Sequence, residues 1–183
     1  MKMAKKLLAV VLTGVMAVSM LTGCASVSSR QVADELQGML KAVNDKATVK
    51  AVDDDLANKA VKAAKADDGT LKAENTLKAD VKTALSKGND DKYVWYTYVE
   101  TKDLNKTTKA QKIAKVLIGT DGKIATDKAI NSADVKVNGK SDNIKAGNKF
   151  ELSVKAFSVG SGSAKKDYVM FVVTCKAVAN VAA

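Results

Sequence analysis

Two runs near the C-terminus set the terms for the rest of the chain: "KFELSVKAFSV" (149–159) and "KDYVMFVVTCKAV" (166–178). In the first, Phe150, Leu152, Val154 and Ala156 face one way, and Glu151, Ser153 and Lys155 the other. In the second, Val169, Phe171, Val173, Cys175 and Ala177 share a face. Alternation at period two is the pattern of a strand, and the loop "GSGSAKK" between the runs makes them antiparallel neighbours. A sheet apolar on one side and polar on the other predicts helices over one face. "KYVWYTYVET" (92–101), aromatic and β-branched, adds a strand, and "DVKVNGK" (134–140), with a turn at Asn138-Gly139, adds another extended piece.

The N-terminal half supplies the helices. Ser28 and Gln31 match a capping box, and Val32, Leu36, Met39, Leu40 and Val43 recur at helical spacing over about 29–45. Residues 46–52, "KATVKAV", fit either a short extended piece or a helical continuation. Asp53–Asp55 read as a helix start that continues through Leu56, Ala60 and Ala63 or Ala64 to about Ala66. Leu77, Val81, Ala84 and Leu85 mark a third helix, closed by Gly88. Ala110, Ile113, Ala114, Leu117 and Ile118 share a helical face, although Asp121-Gly122 could equally make "KVLI" one arm of a hairpin. Residues 124–133 fit at most a short helical turn. These helices carry few large apolar residues and need a sheet to lie on. The expectation is α+β: N-terminal helices packed on an antiparallel sheet of about four strands, in one domain spanning 30–183.

Ahead of that domain, Lys2, Lys5 and Lys6 precede the apolar run Leu7–Leu21. Fifteen such residues suit the core of a secretory signal, about 7–15 residues long, better than a membrane span of about 20. The run ends in Leu21-Thr22-Gly23-Cys24, which resembles the lipobox of bacterial lipoproteins. The resemblance covers the first 24 residues. It implies that residues 1–23 are a signal peptide and that Cys24 carries a diacylglyceryl thioether, leaving an acylated N-terminus. Residues 24–29 would then be the anchor and a short tether on the extracytoplasmic face of a cell membrane. A rival reading is an ordinary signal peptide cut near Ala25.

Removing 1–23 leaves 160 residues with 27 basic and 20 acidic side chains, a net of +7. Arg30 is the only arginine. Lys and Asp alternate along the chain, as a solvated surface does, and a nucleic-acid partner is not expected with the arginine fork almost absent.

Composition narrows the chemistry. The chain has no histidine, which removes the usual general base and zinc ligand. Neither a phosphate-binding GxxxxGK[ST] loop nor a dinucleotide GxGxxG occurs. Cys175 lies on the apolar strand face and reads as a small core residue. Asp53–Asp55, Asp67-Asp68 and Asp90-Asp91 sit where aspartate caps helices and shapes turns. No catalytic residue, metal or cofactor is assigned. The candidate binding feature is Tyr93, Trp95, Tyr96 and Tyr98, which alternation splits into two pairs on opposite sides of one strand, one pair under helices and the other nearer solvent. Three functions remain open: a membrane-anchored binding or structural component of the cell envelope, for a glycan, an anionic polymer or a protein partner; a carboxylate-based hydrolase; and a tethered partner in export or assembly.

Overall fold

The computed structural model describes residues 28–102 and 109–180, so Leu21, Thr22, Gly23 and Cys24 lie outside the described residues. Among the described residues the fold is α+β, with four α-helices and a four-stranded sheet. Ser28 caps the first helix, α1 (Ser29–Lys41), its hydroxyl accepting from the Gln31 N–H at 3.3 Å. The apolar stripe of α1, Val32, Ala33, Leu36, Met39 and Leu40, is buried.

A turn leads into β1 (Thr48–Ala51), the open segment of the sequence resolved as a strand. β-branched Thr48 and Val49 favour extension, and the side-chain Oε1 of Gln37 accepts from the Val49 N–H at 2.9 Å, so this edge is partly satisfied by α1. Then come α2 (Leu56–Ala64) and α3 (Glu74–Ser86), the latter followed by Gly88 at φ +78°, where a left-handed backbone favours glycine. β2 (Lys92–Glu100) follows, then α4 (Lys109–Leu117), and the chain closes with β3 (Ile144–Val159) and β4 (Lys166–Ala179). After α4 a tight turn bridges Ile118 to Ile124 around Gly122, so the helix and the turn both occur.

The strand order is β1-β3-β4-β2. β4 runs antiparallel to both neighbours, while β1 pairs parallel with β3, Val49 opposite Phe150. The sheet is therefore mixed rather than antiparallel, and β1 is its fourth strand in place of 134–140. Asn138 and Gly139 take positive φ (52° and 78°) in a turn closed by a bridge between Val137 and Lys140. The chain just before that turn lies along the free edge of β2: the Ile130 N–H donates to Val94 O and the Lys136 N–H to Asp90 O, both at 2.8 Å. Buried Asn131 completes this cover. Its Oδ1 accepts from the Val94 N–H, and its Nδ2 donates to Asn89 O and Lys92 O. An edge covered in this way is closed to further strands.

Helices cover both faces, not one. α1 and α4 lie on the face carrying Trp95, Phe150, Leu152, Phe171 and Val173. α2 and α3 lie on the other, over Val94, Met170 and Val172. The second layer also reverses part of the inward-outward reading of β3. Ser153 is buried, its hydroxyl accepting from the Ala57 N–H at 3.2 Å, whereas Ala156 is exposed. None of the helices among the described residues is long and apolar enough to cross a membrane.

Candidate functional site

β2 places its aromatic residues on both faces of the sheet. Tyr93 and Trp95, 4 % and 1 % exposed, belong to the core under α1 and α4. Their rings sit 5.9 Å apart, and the Trp95 indole N–H donates to Ala125 O at 2.9 Å. Burial raises the Tyr93 phenol above its ordinary range, with Cys175 as a smaller influence. A surface platform has nothing to draw from this pair.

Tyr96 and Tyr98 lie on the opposite face, half-buried against the layer formed by α2 and α3. Burial also raises the Tyr96 phenol, with lesser contributions from Tyr98 and Glu74. Two further rings join Tyr98. Tyr168 meets it edge-on at 6.0 Å and stacks on Phe157 at 5.5 Å, making an aromatic row across β2, β4 and β3. Phe157 and Tyr168 were not singled out from the sequence. Their signal was the strand pairing itself, which sets them directly opposite one another.

The residues with nucleophilic or acidic potential have local structural work. Cys175 is buried, and burial pushes its thiol up to about 12, far from the electropositive, accessible setting that makes a thiol reactive. Asp54 accepts from the Leu56 N–H at the start of α2, and Asp68 accepts from the N–H and hydroxyl of Thr70. Among the described residues no cluster of three or more His, Cys, Asp or Glu could hold a metal ion. A hollow of about 450 Å³ near the start of β2 is lined by Asp90 and Asp134 together with Lys87, Lys136, Ser86 and Asn131. Both aspartates are exposed, whereas a general acid of the hydrolase kind needs a carboxyl kept neutral by burial.

A different surface emerges on the face shared with Tyr96 and Tyr98. α2 begins above Ser153, and at that level the strands turn polar. Along this face β2 passes from Val94 to Lys92, β3 from Ser153 to Glu151 and Lys149, and β4 from Val172 to Thr174 and Lys176. β1 contributes only Lys50 and Thr48. The pairing sets Lys50 beside Glu151, Glu151 beside Thr174, Thr48 beside Lys149 and Lys92 beside Lys176. Glu151 accepts from Lys92 Nζ at 3.1 Å and from the hydroxyl of buried Thr174 at 3.3 Å. Lys176 pairs with Asp91 at 3.6 Å. Lys50 and Lys149 are exposed and form no ion pair among the described residues. Two of these four lysines are paired with carboxylates, Glu151 and Asp91, on a stretch of sheet beyond the start of α2 and bordered by the exposed Asp53–Asp55. Sequence reading classed these lysines as solvated surface, because their convergence depends on β1 joining the sheet.

No protein-family model, no curated protein and no solved structure matches this chain.

Proposed function

We propose that this chain is a lipid-anchored, extracytoplasmic protein of the bacterial envelope whose domain binds rather than catalyses. The observation that carries the reading is the segment Leu21-Thr22-Gly23-Cys24, in register behind three lysines and an apolar run. Two acyl chains on Cys24 hold a protein stably at a bilayer, since each buried methylene contributes about 0.8 kcal/mol.

The domain geometry agrees with a short tether. α1 starts one residue after Ser28, and four Cα steps from Cys24 to Ser28 reach at most about 14 Å. Asn44, just beyond the C-terminal end of α1, bonds Asn148, and Gln37, earlier in the helix, bonds Val49 beside Phe150. Moving back along α1 therefore moves along β3 toward its hairpin with β4. The first turn of α1 lies toward that hairpin, so the tether enters there and the lysine-bearing half of the sheet lies away from it. The core position of Cys175 and the absence of histidine support a non-catalytic role.

Membrane fractionation tests this reading. The native chain should sediment with membranes and resist extraction by high salt, whereas Cys24→Ala should be released into the soluble fraction. Retention on membranes of Cys24→Ala whose residues 1–23 have been removed would overturn it.

A further inference from the structure

We propose that the helix-free half of the sheet, carrying Lys50, Lys92, Lys149 and Lys176, is the binding surface for a flexible polyanion. The ligand class is a linear polymer with charge repeated along its length. The proposal rests on the envelope reading for where such a polymer is met, and on the sheet alone for why it binds.

Three features carry it. The first is position. On this face β3 turns polar from Ser153 and β4 from Thr174, β2 follows one row later between Val94 and Lys92, and β1 carries only Lys50 and Thr48, so the lysines share one end of the sheet face, beyond the start of α2. Adjacent strands lie about 4.8 Å apart, so a row from β1 to β2 across four strands presents positive charge over about 14 Å. That is the reach of a polymer segment rather than of a single small anion.

The second is charge. Two of the four lysines are held by carboxylates, Lys92 by Glu151 and Lys176 by Asp91. Lys50 and Lys149 have exposed side chains and no ion pair among the described residues, so a surplus of positive charge stands on the neighbouring strands β1 and β3.

The third is residue type. Lysine is a mobile point charge without the planar fork that arginine offers to one phosphate or carboxylate. A lysine row recognises spaced charge, not the shape of an individual group. The patch has no aromatic or large aliphatic anchor, its remaining side chains being Thr48, Glu151 and Thr174. Protein interfaces draw most of their energy from such anchors, so the chemistry favours a polyanion over a protein partner.

The test uses the full chain purified in a non-ionic detergent, with inorganic polyphosphate and poly-L-glutamate as probes. Binding is measured by titration at salt concentrations from about 50 to 200 mM, where an interaction resting on about two to four charges should weaken with a log–log slope of about −1.4 to −2.8. The double variant Lys50→Glu/Lys149→Glu should weaken binding by about tenfold or more and flatten that slope. The control Lys115→Glu/Lys123→Glu changes net charge equally at exposed positions outside the patch, and should leave affinity within about twofold. Emission from Trp95 checks that each variant is folded. Binding of both probes identifies repeated charge as the recognised feature, and binding of polyphosphate alone narrows the class to phosphate polymers. Equal losses in both double variants would overturn the proposal in favour of diffuse net charge. Failure of the native chain to bind either probe would also overturn it. Neither result depends on the membrane behaviour of Cys24→Ala, so the two readings fail separately.

Discussion

The two faces of the sheet are built differently, although the same four strands make both. The face under α1 and α4 is apolar along its length, from Val169 and Phe171 through Val173 to Cys175 and Ala177 on β4 alone. The face under α2 and α3 is apolar only in the half beyond Ser153 and carries lysine in the other half. The difference shows that helix coverage and strand composition go together along the face, with Ser153 the buried polar residue that marks the boundary. Where α2 starts, the strand residues beneath become apolar, and where no helix lies, they are lysine, threonine or glutamate. A half-face beyond the helices is also free to meet a ligand.

The largest expected effect compares neighbours on one strand. Phe171 and Met170 are both fully buried on opposite faces of β4. Phe171→Ala should cost about 3–5 kcal/mol and Met170→Ala about 2–5 kcal/mol, read from denaturant midpoints. A one-sided sheet would leave Met170 at the surface, where truncation changes stability by no more than about 0.5 kcal/mol. A near-zero effect of Met170→Ala would therefore break the two-layer description.

The next effect concerns the edge of β2. Asn131→Ala leaves the Val94 N–H without its acceptor and the carbonyls of Asn89 and Lys92 without their donor. It should cost about 2–3 kcal/mol, with faster amide exchange at Val94. Unchanged exchange there would show that this loop is not what closes the edge.

High pH should weaken the helix-covered layers while sparing the lysine half. Burial raises Tyr93, Tyr96 and Cys175 above their ordinary values in the folded chain, Cys175 to about 12. The unfolded chain therefore loses these protons first as pH rises, and stability must fall from about pH 9, where an unfolded thiol begins to ionise, toward pH 12. Denaturant melts at pH 8 and pH 10.5 check the sign, and equal stability at both would contradict the burial of all three groups. Lys50→Glu and Lys149→Glu should have the smallest effect on stability, within about 0.5 kcal/mol each, sharpening the contrast between a face that holds the fold and a half-face that does not.

Much of the architecture was legible in the sequence. Ser28 with Gln31 marked the start of α1, and the alternation around Phe150 and Phe171 marked the β3–β4 hairpin and its apolar face. The parallel pairing of β1 was not legible, because four residues of "TVKA" carry little periodicity and the partner lies about a hundred residues away. Asn138-Gly139 signalled a turn correctly, but its flanks form one isolated bridge to each other and add no strand to the sheet. The second helical layer was hidden for a physical reason: Ala57, Ala60 and Ala64 bury little area each, yet their small side chains let α2 lie close over Met170 and Val172. Of the candidate aromatics, alternation separated the two pairs correctly and burial then assigned Tyr93 and Trp95 to the core. The lysine surface was out of reach, since it forms only when the register brings Lys50, Lys149, Lys176 and Lys92 together.

The proposal that the domain works from a membrane rests on Cys24, and mass spectrometry of the mature N-terminal peptide tests it most directly. The account predicts a chain beginning at Cys24 with a diacylglyceryl group on its sulfur. A mature chain that begins at another residue, or at an unmodified Cys24, would contradict it.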